Sequence, residues 1–315
     1  MSNPSVVYRL LLFFLLGAVL VSACSNAGGV APSPIPGSTP ESTRFVSHTP
    51  FQPSPTLTPT PSPTPVALAA RVNQEGITLA EYEAELKRLQ NALKSQGKEL
   101  SAAEQRKRVL DDLIWQTLMA QAAFQAGYQL DDAALEARIQ KLAQEAGGEA
   151  ALKEWLSRNA YTDASFRVAL RRAAAAAWQR DQIAAAVPET ADQVRARQIL
   201  VSDNATAESI LSQLRAGVNF GTLASRYDPL TGGEMGWFPR GYLPHPEIEA
   251  AAFALKPGEY SPIIPLKIGY LIIQVTERNP QQRLSADARR TLQGIAVQNW
   301  LKDRLQQSKI EIFVP

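Results

Sequence analysis

Residues 195–201, RARQILV, open like an apolar strand but carry an amide, Gln198, in the middle. A glutamine on a strand face can donate a hydrogen bond to a reacting group, yet it cannot take or give a proton near neutral pH. Few other chemical groups are available. The 315 residues include two histidines, His48 and His245, and one cysteine, Cys24. This excludes a zinc site built from several Cys or His ligands, an internal disulfide, and a Ser-His-Asp site unless it uses His48 or His245. No metal and no cofactor is expected. The formal net charge of +2 points neither to nucleic acid nor to an acidic partner.

The elements that would position Gln198 lie far from the N-terminus, which has its own pattern. Arg9 precedes the apolar run LLLFFLLGAVLV, residues 10–21, and then SAC. One charge, a short apolar run and small residues describe a secretory signal over residues 1–23. The run is shorter than the roughly 20 residues that cross a bilayer. The ending VSAC resembles a bacterial lipobox, which would make Cys24 a lipidated N-terminus. Residues 24–66 would then be a stalk, since half of the 22 prolines fall there among Ser and Thr. Such a segment buries no core. Its 42 residues after Cys24 reach roughly 130 Å as polyproline II and about 35 Å as a flexible coil.

From residue 67 the composition becomes helical. A short strand at 67–73 and a turn at Gln74-Glu75-Gly76 lead to Thr78 and Glu81, in capping-box spacing. Leu79, Tyr82, Leu86, Leu89 and Leu93 then recur at three and four, which predicts a helix. Ser101 and Glu104 repeat the box ahead of a long helix that ends at Gly127. Shorter helices are expected near 131–146 and 149–158, and an Ala-rich one from Thr162 to Val187-Pro188. After Pro280 a helix at 284–307 precedes KIEIFV, whose strand needs a partner for its backbone groups. The strand near residue 70 needs one too, so the two ends of the body are expected to pair. Residues 281–315 then pack on the helical domain at 67–187, and residues 188–280 form an inserted domain.

The order ARVNQEGIT, LAEYEAEL, a long second helix and a returning C-terminal helix resembles the exported chaperones of the SurA and PrsA type. The insertion carries denser motifs: GGEMGWFPRG (232–241), AFALKPGE (252–259) and GYLII (269–273). These resemble the parvulin (PpiC, rotamase) family of peptidyl-prolyl cis-trans isomerases. The fold implied is α+β, a helical chaperone-like body with an inserted small antiparallel sheet wrapped by helices.

The resemblance also implies site residues. The proline pocket falls on Met235, Leu243 and Ile248, with Phe238, Phe253 and Leu271 close by. Phe238 and Phe253 read more readily as core. The polar floor departs from the family pattern. Parvulins usually carry histidines in RHILV and GYHII, and here those positions are Gln198 and Leu271. The loop that normally supplies Cys or Asp is shortened to YDPLTGGE, which leaves Asp228 as the nearby candidate. Serine or threonine positions before the last strand are Leu266 and Ile268. Gln198 and Asp228 are therefore the catalytic candidates, both at degenerate positions.

The resemblance implies a membrane-anchored, extracytoplasmic folding factor that binds unfolded or newly exported chains and X-Pro segments, with no nucleic acid. Its isomerase activity is expected to be weak or lost. Two other readings stay open at this stage, an active isomerase using the apolar pocket and a non-catalytic adaptor at the membrane surface.

Overall fold

A five-residue strand, β1 (Leu68–Val72), begins the body in a computed structural model that describes residues 66–315. The signal at 1–23, Cys24, His48 and the stalk up to residue 65 lie outside the described residues. β1 is the centre of a sheet ordered β2-β1-β7, formed with β2 (Glu75–Thr78) and β7 (Ile310–Ile312), all antiparallel. Val72 faces Ile310 and Ala70 faces Ile312, so the strand at each end of the body is the other's partner. Glu75 and Gly76, expected in a turn, are instead paired in β2. The turn falls at Asn73-Gln74, because Asn73 adopts φ +57°, a left-handed conformation that asparagine tolerates. Asn73 also clasps the returning chain, its N–H donating to the Lys309 carbonyl at 2.7 Å and its Oδ1 accepting from Lys309 N–H at 3.0 Å.

Helices α1 (Leu79–Ser95) and α2 (Ala102–Gln125) cover this sheet. Ile77, Tyr82, Val109, Leu113 and Leu118 build the shared core, joined by Leu305, Ile310 and Val314 from the C-terminus. Ser101 and Glu104 close a complete capping box on α2. On α1 only half of the box forms. Thr78 accepts from Glu81 N–H at 3.1 Å, but the Glu81 carboxylate turns inward to Arg172. α3 (Asp132–Ala146), α4 (Glu149–Arg158) and α5 (Asp163–Ala185) follow. Ala120 and Ala123 of α2 meet Ala175 of α5, so the absence of bulk lets the two long helices approach closely.

Pro188 ends the helical run, and β3 (Thr190–Val201) starts the insertion. Its sheet has the order β4-β3-β6-β5, again antiparallel, with β4 (Glu234–Pro239), β5 (Ile264–Leu266) and β6 (Gly269–Arg283). β6 does not stop at Pro280 but continues to Arg283, and Pro280 sits where the β3–β6 register shifts. Thr190 pairs with Arg283, and Leu284 N–H donates to the Glu189 carbonyl at 2.9 Å. The insertion therefore enters and leaves through one paired neck. One face of its sheet is covered by α6 (Asn204–Arg215) and α7 (Phe220–Tyr227), the other by α8 (Pro246–Ala254). Helix α9 (Ala286–Gln307) then returns to the body and delivers β7.

Arg172 of α5 is the principal buried charge of the body, its side chain 8% exposed. It bonds Glu81 and lies 3.2 Å from Glu75, whose other oxygen accepts from Gln121 at 3.2 Å. Burial pushes the Glu81 carboxyl above its usual range, with Arg172 opposing that shift. A carboxyl raised on folding binds protons more readily in the native state, so its unfavourable contribution grows as pH rises through and above the usual carboxylate range. Arg172→Ala should leave Glu81 charged, buried and unpaired, and cost about 3 kcal/mol at neutral pH. The deficit relative to wild type should narrow as pH falls and Glu81 protonates, which denaturant titrations at several pH values would measure. A deficit independent of pH would show that Arg172 acts through packing alone.

Candidate functional site

The candidate site lies on the α8-covered face of the insertion's sheet. Along β3 the period of two puts Val194, Ala196, Gln198 and Leu200 on this face, with Ile199 and Val201 on the other. Across the ladder, Val275 faces Ala196, Ile273 faces Gln198 and Leu271 faces Leu200. Gln198 is thus half-buried in an otherwise apolar row.

Met235 reaches the same face through a β-bulge. Ala196 pairs with Gly236 and Arg197 with Glu234, so Met235 is the extra residue on β4. A bulge redirects the side chain it adds, and Gly236 takes up the kink at φ +71°. Met235 consequently packs against the buried cluster that includes Val194, Phe238, Ile248 and Leu271. Leu243 and Tyr242, from the loop before α8, complete the rim, while Ile264 and Leu266 close the β5 side.

The structure brings the five pocket residues into one cluster but divides their roles. Met235 and Leu243 are half-buried and offer surface to a ligand. Phe238 and Leu271 are each 1% exposed, and Ile248 is 5% exposed. These three belong to the buried core of the cluster, whereas Met235 and Leu243 keep part of their surface exposed. Phe238 and Phe253 meet edge to face with centroids 6.2 Å apart, and the Arg240 guanidinium lies 4.1 Å over Phe253.

Asp228 holds its own turn together. Its Oδ1 accepts from the N–H groups of Leu230 and Thr231 at 3.2 and 3.1 Å, and the Thr231 hydroxyl donates to Oδ2. Those bonds, the hydroxyl first, keep the carboxyl below its usual range. At neutral pH it carries no proton, and both of its oxygens already accept hydrogen bonds within the turn. The turn it shapes presents Gly233, whose carbonyl accepts from Gln198 N–H at 2.8 Å. His245 sits at the start of α8, 3.4 Å from a Glu247 oxygen, and caps nothing with its side chain. Arg195 and Arg197 pair with Glu234 and, for Arg195, Glu277.

The Met235 bulge escaped sequence reasoning, because it exists only in the register between β3 and β4. Tyr242 was also missed. Its hydroxyl donates to Asp287 of α9 at 2.8 Å, a contact between segments that local pattern does not join.

Residues 56–178 match the family described as a SurA-like N-terminal domain, and residues 185–290 match the PPIC-type PPIASE domain. The chain thus carries a SurA-like N-terminal domain followed by a PPIC-type, or parvulin, domain. A foldase protein PrsA from Caldanaerobacter subterraneus is 45% identical over 91 residues, 27% of this chain and 29% of that one. A Geobacillus foldase protein PrsA is 35% identical over 126 residues, 38% and 45% of the two chains. The chain thus spans less than half the length of these curated relatives. The crystal structure of a peptidylprolyl isomerase (PrsA) from Bacillus cereus aligns at 20% identity with a TM-score of 0.44, covering 75% of this chain and 90% of that one.

In this parvulin domain Gly233 cannot be replaced without disturbing Gln198. It has φ +74°, and a Cβ there would lie 2.0 Å from the Gln198 carbonyl oxygen. Gly233→Ala should cost at least about 2 kcal/mol, since backbone cannot yield as a side chain can. Thermal denaturation would check this, and a midpoint within error of wild type would disprove the close approach.

Proposed function

We propose that this chain is a folding factor whose parvulin domain binds prolyl segments and accelerates their isomerisation weakly or not at all. The observation that carries this reading is the composition of the pocket face. Gln198 is its one polar side chain between Ala196 and Leu200, and neither Ile273, which faces it across the sheet, nor Leu271, two residues along on the same strand, offers a donor.

The chemistry follows from the peptide bond. Rotation about it has a barrier of about 18–20 kcal/mol because amide resonance must be given up. For X-Pro the two isomers are nearly balanced, so a catalyst needs only to lower the barrier. An apolar surface formed by Met235 and Leu243 can grip the proline ring and, by excluding water, disfavour the polar planar amide relative to the twisted one. Stronger acceleration requires donors aimed at the charge that develops on twisting. Gln198 can provide one neutral donor, and Asp228 is committed to its turn. Grip without directed donors favours binding over turnover.

The helical body would hold unfolded or newly exported chains. Exchange NMR on a short Ala-Pro peptide tests the parvulin part. The peptide's signals should shift and broaden with the full chain, while exchange stays near the uncatalysed scale of tens of seconds. Met235→Lys and Leu243→Lys should abolish the shifts, and Gln198→Ala should change them little. Exchange brought into the sub-second range would instead establish an active isomerase.

We further propose that the protein is exported and held outside the cytoplasm by a bacterial lipid anchor on Cys24, a reading supported by the apolar run 10–21 and its VSAC ending. Labelled palmitate fed to expressing cells should enter the wild-type chain and not Cys24→Ser. Equal labelling of both would refute the anchor.

A further inference from the structure

We infer that Asp287, acting through Tyr242, is a positioning residue for the rim of the prolyl pocket, so that helix α9 of the body sets a site on the inserted domain. This rests on the reading of the Met235–Leu243 surface as a prolyl pocket.

Three contacts lead to it. The Tyr242 hydroxyl donates to Asp287 Oδ2 at 2.8 Å, and Tyr242 is the chain neighbour of Leu243. Gly241, one residue earlier, lies against α9. A Cβ built on it would be 3.5 Å from Leu292 and 3.7 Å from Ile295, and φ +83° lets the loop make its turn there. The Gly241 N–H donates to both Glu249 oxygens at 2.8 and 2.7 Å, tying the same loop to α8, which carries Ile248. The rim is thus clamped between α8, inside the parvulin domain, and α9, outside it.

Helix α9 is also fixed to the body. Gln293 Nε2 donates to the Ala184 carbonyl of α5 at 3.2 Å, and Arg304 donates to Gln125 of α2 at 2.6 Å. Its C-terminus leads into β7, which is paired with β1. α9 thus contacts α5, α2 and the segment that carries Leu243. Asp287 also lies 3.5 Å from Arg290 on its own helix, so its carboxylate is shared between a local partner and Tyr242. The carboxylate in turn pushes the Tyr242 hydroxyl above its usual range.

The test uses methyl NMR of the full chain, alone and with the Ala-Pro peptide, on wild type, Tyr242→Phe, Asp287→Ala and Asp287→Asn. Asparagine can still accept from the tyrosine and serves as the conservative rescue. In Tyr242→Phe and Asp287→Ala the Leu243 methyl signals should move or broaden without peptide, and peptide affinity should fall about threefold to tenfold. The double variant should be no weaker than the weaker single one, and Asp287→Asn should keep most of the affinity. A contact that only added stability would lower the thermal midpoint and leave the affinity of the folded chain unchanged. If wild type binds and the variants match it in Leu243 signals and affinity, this inference alone is overturned. A wild-type chain whose Met235 and Leu243 signals ignore the peptide overturns the prolyl reading and this inference with it.

Discussion

The pairing of β1 with β7 is the constraint on which the rest of the molecule depends. A central strand has backbone donors and acceptors on both edges, and each must be met. β2 meets one edge through the Asn73 turn, and the other is met only by residues at the far end of the chain, with Arg71 opposite Glu311. Helix α9 must therefore cross back over α5 and α2 to deliver β7. Everything between α5 and α9 has to leave the body and return at nearly one point. The paired neck at Thr190–Arg283 satisfies that demand.

Within the insertion, one sheet separates two cores of different use. The face under α6 and α7 is sealed by Ile199, Ile210, Leu223 and Ile272. The face under α8 is sealed only in part, because the Met235 bulge and the loop at Leu243 leave apolar surface between β4 and α8. The same backbone irregularity that interrupts the ladder makes the candidate pocket.

Polar groups near that face are largely absorbed by structure. Asp228 holds its turn, Ser261 bonds the Ile273 N–H and the Pro262 carbonyl, and Tyr242 reaches Asp287. Leu271, where the resemblance would place a histidine, is buried in apolar surroundings. When both sides of a polar contact are replaced by residues that suit each other, stability changes little. The fold can therefore persist with Leu271 at that position.

Much of this was legible in the sequence, because it depends on residues near one another along the chain. Apolar spacing of three and four, with Ser101 and Thr162 as caps, marks the helices. The motifs GGEMGWFPRG and AFALKPGE mark the parvulin domain. Tertiary structure alone decided the direction and occupancy of individual side chains. A periodic reading cannot foresee that Met235 is an added residue, since a bulge appears only when two strands are set side by side. Nor can it tell that Glu81 abandons its cap for Arg172, 91 residues away, or that Phe238 is sealed while Met235 is not. Local pattern fixes elements because backbone geometry is local. Which polar group is spent and which is free depends on partners that only the folded chain brings within reach.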